Sequence, residues 1–311
     1  MRELYTLGPA AQDLPEVPVL VHALHGAMDA GRAGALFARH LQTALGARRV
    51  ATFSSDELID YRARRPVMTF EDWHWTDYAE PTIAVDLLHD DEGAPLLLLH
   101  GPEPDLRWEG FVDAVIEIVE RFGVERTIGV HGIPMGVPHT RPTTVTAHAT
   151  DATLIPAVPG IMGTLQVPGS AAGLLELRLG QAGHDALGFA ANVPHYLAQS
   201  DFPQAAAELV RQVARSGSLA LPLGELEVAA SETAAQIERQ VAESPEVGAV
   251  VHALEQQFDA FMDGAGDERR ATLLAQPVEL PTAEEIGAEL EAFLADQSDN
   301  PGDDAAADDD A

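Results

Sequence analysis

The sequence predicts an α/β sandwich built on a largely parallel sheet, followed by an α-helical hairpin. Three observations predict it. Short apolar runs bounded by turn residues alternate with helix-period segments as far as about residue 216. Two of those runs are separated only by His89-Asp90-Asp91-Glu92-Gly93, the spacing of an antiparallel hairpin. Beyond Pro222 the strand signals stop and two amphipathic stretches follow.

Each element has its own signal. Val17–Leu24 is an apolar run and reads as a buried strand; the glycine-rich turn Gly26–Gly34 follows, then a helix to about Leu45. Arg49–Phe53 is a second strand. Residues 54–80 form a polar, aromatic excursion with Tyr61-Arg62-Ala63-Arg64-Arg65-Pro66 and Trp73-His74-Trp75. Thr82–Leu88 and Leu96–His100 make the hairpin. Asp105–Phe122 places Phe111, Val112, Val115, Ile116 and Val119 on one helical face. Arg126–Val130 is a buried strand, and Gly132–Pro142 (G-I-P-M-G-V-P-H-T-R-P) follows it as a rigid, proline-rich loop. Thr144–Thr150 and Ala186–Val193 read as strands, Gly169–Leu179 and Pro203–Arg215 as helices.

Residues 1–221 thus form the α/β core and 222–263 a helical hairpin, Leu226–Val241 and Pro245–Met262. Ser244 caps the second helix, with Pro245 in its first turn. Its stripe of Val247, Val250, Val251, Leu254, Phe258 and Phe261 is expected to seat against the core or another subunit. Residues 264–281 read as a linker. Thr282-Ala283-Glu284-Glu285 is a capping box for a last helix over 282–295. The segment 296–311, with seven Asp, is expected to be disordered.

Composition removes several function classes. The 311 residues carry a formal net charge of −32, of which −20 lies in residues 222–311 (23 Asp/Glu against 3 Arg). Such a chain is repelled by nucleic acid and by anionic membranes, so neither is an expected partner. There is no Cys, which removes thiol catalysis and Cys-ligated metal and fits a cytoplasmic protein. There is no Lys either, which removes a Schiff-base lysine and the P-loop lysine. The longest uncharged stretch, 152–175, is broken by Pro156, Pro159 and Pro168 and reads against a membrane-spanning helix. No cofactor and no metal site is expected.

The candidate chemistry is a set of groups at strand ends. His25, His100 and His131 close predicted strands, and His139 and His195 lie in proline-flanked loops. If the carboxyl ends converge, these five line one crevice with Asp29, Glu103 and Arg141. Imidazoles there would serve as acid–base groups, and Arg141 would hold an anion. The competing reading is structural: each His satisfies its own loop, Asp29 caps the first helix, and Glu103 with Asp105 caps the next one. His22 and His25 are a weak metal pair, because they straddle a strand and a turn. Arg62, Arg64 and Arg65, near Trp73 and Trp75, are protein-contact candidates; they grip an acidic partner or pair within the chain. His139 and Arg141 are expected to face a small pocket or a partner chain.

Five blocks taken in order carry a resemblance: D-A-G-x-A (29–33), I-D-Y-R-A-R-R-P (59–66), L-L-H-G-P-E-P-D-L-R-W-E-G-F (98–111), G-I-P-M-G-V-P-H-T-R-P (132–142) and V-P-H-Y-L-A (193–198). Together they resemble the actinobacterial branch of the proteasome assembly chaperone 2 family, from about Val17 to Leu294. The resemblance implies a three-layer α/β/α core similar to phosphorylase and hydrolase folds. It also implies a homo-oligomer, with a trimer as the guess for its number, and proteasome subunits as possible clients. It supplies no catalytic residues to carry over. The expected function is therefore a non-enzymatic, homo-oligomeric, assembly-chaperone-like protein. The rival is a small-anion-binding protein, or a hydrolase- or phosphorylase-like enzyme, using the His/Arg strand-end crevice.

Overall fold

The structure is a computed structural model that describes residues 4–12, 14–26, 28–155 and 164–263. The expected linker (264–281), last helix (282–295) and acidic tail (296–311) lie outside the described residues.

The core is one eight-stranded mixed sheet with helices on both faces. In chain order the elements are β1 (Tyr5–Leu7), β2 (Val19–His25), α1 (Ala33–Leu45), β3 (Arg48–Phe53), α2 (Ser55–Leu58), β4 (Met68–Glu71), β5 (His74–Tyr78), β6 (Ala84–His89), β7 (Pro95–Pro102), α3 (Trp108–Arg121), β8 (Arg126–Met135), β9 (Val145–Ala149), α4 (Ala171–Ala182), β10 (Asp185–Pro194), α5 (Pro203–Gly217), α6 (Gly224–Glu243) and α7 (Pro245–Asp263). The strand order is β1-β3-β6-β7-β2-β8-β10-β9. The four central strands β7, β2, β8 and β10 run parallel, and β6–β7 is the expected antiparallel hairpin.

Alternation along the strands builds two cores. Val19, Val21, Ala23, Ile128 and Val130 pack beneath α1 and α5 with Phe37, Leu41 and Leu209. Leu20, Leu24, Leu97 and Leu99 face the other way, beneath α3 and α4, with Phe111, Val115 and Leu175. This is a three-layer α/β/α sandwich. A third, small cluster joins Met135 and Val137 to Phe258 of α7.

Two elements differ from expectation. β8 runs through Met135, paired with β10 as far as Met135↔Pro194, so the first third of the predicted Gly132–Pro142 loop is strand. The 54–80 excursion carries a two-stranded antiparallel ribbon, β4–β5, separate from the main sheet. The helical hairpin is present as α6 and α7, with the Ser244 hydroxyl accepting from the Val247 amide at 3.4 Å. Its stripe is only half covered: Val251 and Phe258 are buried, whereas Val247 and Val250 are exposed. Among the described residues no helix is long and apolar enough to cross a membrane.

Candidate functional site

The centre of the sheet contains a fork. β2 and β8 pair only from Val19↔Arg126 to His22↔Gly129. Beyond that level β2 stays with β7 as far as His25, and β8 stays with β10 as far as Met135. The chain leaves β2 towards one edge of the sheet and β8 towards the other, so the gap is the switch point where open α/β sheets place their ligands.

On the α4 side the fork opens into a cavity of about 170 Å³. His22 of β2, His131 of β8 and His148 of β9 line it, with Glu103 from the end of β7 and Glu176 from α4. In-strand glycines make room for two of the rings. A Cβ on Gly129 would stand 2.6 Å from His22 Cε1, and a Cβ on Gly188 would overlap the His148 ring. His131 and His148 lie with ring centroids 6.2 Å apart. Burial, then the neighbouring His131 and His148, lower the pKa of His22 to about 3. Burial, then His148, lower that of His131 to about 4. Both rings are therefore neutral near pH 7, each with one N–H donor and one bare acceptor nitrogen. Among the described residues neither has a hydrogen-bond partner. Glu103, 8% exposed, accepts from the Ala171 amide at 2.6 Å and so caps α4. His148 Nδ1 meets Glu176 at 2.8–2.9 Å.

The other face carries a second, open pocket at the same end of the sheet. His25, Asp29, Arg32 and Arg64 line it. Asp29 accepts from the amides of Gly34 (2.8 Å), Ala35 (3.1 Å) and Gly132 (3.2 Å), tying the start of α1 to β8. Burial raises its pKa and those three amides oppose the rise. Its job is that of a cap. Dehydration in the pocket, then Arg64, Arg32 and His100, lower the pKa of His25.

The eight candidate ligand groups therefore do not share one crevice. Alternation along the strands divides them: His25 and Asp29 face the α1 side, His131 and Glu103 the α4 side. His100 lies beneath α1, bonded to Asp86 (2.8 Å) and Gln42 (2.9 Å). Gln42 and Arg49 complete that network on Asp86. His139 Nδ1 bonds the Tyr196 hydroxyl at 2.7 Å, and His195 stacks edge-on against Tyr196. Arg141 forks onto Asp259 of α7 (2.6 and 2.7 Å) and reaches Glu255 at 3.2 Å. The proline-rich loop seats α7, because Met135 and Val137 supply the apolar contact and Arg141 the charge, and its end, Arg141 and Pro142, also borders an open pocket against α5 and α6. Nor does Glu103 cap α3, whose first turn follows Arg107; Asp105 instead accepts from the Asp60 amide and pairs with Arg64 at 2.7 Å.

The five contact candidates lie on or beside the β4–β5 ribbon. Trp73 is 80% and Trp75 62% exposed, with Val67, Met68 and Phe70 exposed beside them. Phe70 and Trp75 pack edge-to-face at 4.9 Å. Arg62 and Arg65 are exposed and, among the described residues, make no ion pair; Arg64 is tethered by Asp105.

Sequence reasoning missed His148 and Glu176 and gave His22 only a weak metal reading. The available signal was the mid-strand glycine, Gly129 in T-I-G-V-H and Gly188 in A-L-G-F, which marks a close approach.

Comparison with known proteins gives the following. The family model of the PAC2 family matches residues 23–241. A Mycobacterium tuberculosis protein of unknown function is 50% identical in its crystal structure, with 85% of this chain and 92% of that chain covered at a TM-score of 0.81. A Corynebacterium glutamicum protein of unknown function is 40% identical, covering 85% and 100%, with a TM-score of 0.81. The M. tuberculosis proteasome-assembly chaperone homologue is 27% identical, covering 75% and 99%, with a TM-score of 0.69. No curated protein matches the chain.

Proposed function

This chain belongs to the PAC2 family, and from that premise we propose that it is a homo-oligomeric protein-binding protein with an assembly-chaperone-like role in proteasome assembly. The observation that carries the reading is the β4–β5 ribbon. An isolated two-stranded ribbon is at best marginally stable in water, and this one holds Trp73, Trp75, Phe70 and Met68 out from the sandwich. Clustered exposed aromatics with flanking Arg62 and Arg65 are the composition of a protein-binding hot spot. The similarity to a proteasome-assembly chaperone homologue supports proteasome components as the clients, and α-subunits are the ones to test first.

The test is to mix the purified chain with proteasome α-subunits from the same source and follow ring assembly. Co-elution, or a changed assembly rate that Trp73→Ser with Trp75→Ser abolishes, supports the role. No complex and no change in rate refute it.

The pocket at the mouth of the sheet favours a second reading, binding of a small anion. His25, Arg32 and Arg64 converge there in an otherwise acidic chain, though Asp201 and Asp105 partner the two arginines. A melting shift with inorganic phosphate that Arg64→Gln removes supports it, and an unchanged melting point refutes it.

A further inference from the structure

The fork cavity has features that neither the ribbon nor the mouth pocket uses. His22 is 5% exposed and lines the cavity with both ring nitrogens unpartnered among the described residues. Neither nitrogen is sealed off, so whatever occupies the cavity meets them. No arginine lines the space, whereas Glu103 and Glu176 do. An anion entering it would meet two carboxylates and the neutral rings of His22 and His131, with no arginine to compensate. A positively charged guest would meet acceptors on several sides. Among the described residues no three His, Asp or Glu side chains are arranged to hold a metal ion, so the acceptors do not converge on a point. Instead they are spread around a space about 170 Å³ in volume, whose remaining wall includes Leu24, Val130, Val167 and Ala172. That pairing of dispersed acceptors and aliphatic wall fits a short alkyl chain ending in an ammonium group. The chain contains no Lys, so its own side chains supply no primary amine to fill the space.

We propose that the cavity between β2, β8 and α4 binds a small primary ammonium, held by the bare nitrogens of His22 and His131 and the carboxylates of Glu103 and Glu176, with its alkyl chain against the aliphatic wall. This site is independent of the protein-binding reading, and neither stands or falls with the other.

Isothermal titration of the full chain at neutral pH with n-butylammonium tests it, with 1-butanol, butyrate and Zn²⁺ as comparison probes. Saturable one-to-one binding of the amine alone is expected. Glu176→Gln and His22→Phe should each weaken it about tenfold or more, the loss of one charge-assisted hydrogen bond. Running Nα-acetyl-lysine amide beside butylammonium distinguishes the two sources of the group: preference for the former points to a partner's lysine, and for the latter to a free amine. Because a variant in this core can fail to fold, histidine ¹⁵N NMR of the unmutated chain gives a second readout. The amine should shift the ring signals of neutral buried histidines and leave exposed His25 and His195 in place. An equal response to butanol, no saturable amine binding, undiminished binding in both variants, or Zn²⁺ binding with the amine inert would overturn the proposal.

Discussion

Gly129→Ala is the smallest change that probes the fork. Gly129 pairs with His22 at the last rung shared by β2 and β8. A methyl group there would stand 2.6 Å from His22 Cε1 and 2.7 Å from Nε2. Ordinary carbon contacts lie at about 3.5–4.0 Å, so the ring must move by about 1 Å. Forcing a buried group aside costs about 1–3 kcal/mol. The cavity beside His22 gives it somewhere to go, which favours the lower half of that range. Replacing Gly by Ala also stiffens the unfolded chain, a gain of about 0.4–1 kcal/mol, since Gly129 does not have a positive φ. The net expectation is a loss of about 1 kcal/mol, read as a lower urea midpoint at unchanged slope by far-UV circular dichroism. The cycle with His22→Ala is decisive. Without the ring the same methyl should be neutral or stabilising, a coupling of about 1–2 kcal/mol. If Gly129→Ala has the same effect with and without His22, the ring does not sit on Gly129 and the fork geometry is wrong.

Three further perturbations follow from the same structure. His22 and His131 are neutral when folded and take up protons when unfolded, so stability falls as pH drops from about 6.5 towards 4. Each contributes about 1.4 kcal/mol per pH unit, and His22→Gln should remove one share of that slope in urea titrations across the window. Burial alone would raise the pKa of Asp86, but hydrogen bonds from His100, Arg49 and Gln42 outweigh it and hold the value at about 2. The stability that this gives is complete above about pH 4 and lost as pH falls towards 2; it amounts to about 2 kcal/mol, and Asp86→Asn should flatten that acid limb while lowering stability at pH 7. Arg141→Gln cuts the fork onto Asp259 and Glu255, a solvent-exposed pairing whose loss should leave global stability nearly unchanged while loosening the seat of α7. Faster amide exchange confined to α7 is expected, with the sheet unchanged.

Much of the architecture was legible in the sequence, because apolar runs and helix periods report burial directly. Thirteen or more consecutive residues with one apolar face, as in α1 and α3, leave little ambiguity. The carboxyl half of β8 was not legible, since Pro134 reads as loop. Past Gly129, however, β8 has lost β2 as a neighbour and is an edge on that side, where a proline is tolerated. The β4–β5 ribbon was hidden because all nine of its residues are exposed, so no alternation marks it. The candidate groups were legible as types and strand ends, but not as a site. Which face each occupies depends on register, and a one-residue offset separates His25 from the side that His22 and His131 share. Arg141 looked like an anion ligand because its partners lie more than a hundred residues away, on α7.

Sedimentation velocity of the chain mixed with proteasome α-subunits, unaltered and with Trp73→Ser and Trp75→Ser together, tests the central claim that the exposed ribbon makes this protein's contacts with its client. The account predicts that the unaltered chain co-sediments with the subunits and that the double variant, still folded, does not. No co-sedimentation of the unaltered chain, or a complex that the two substitutions leave untouched, would contradict it.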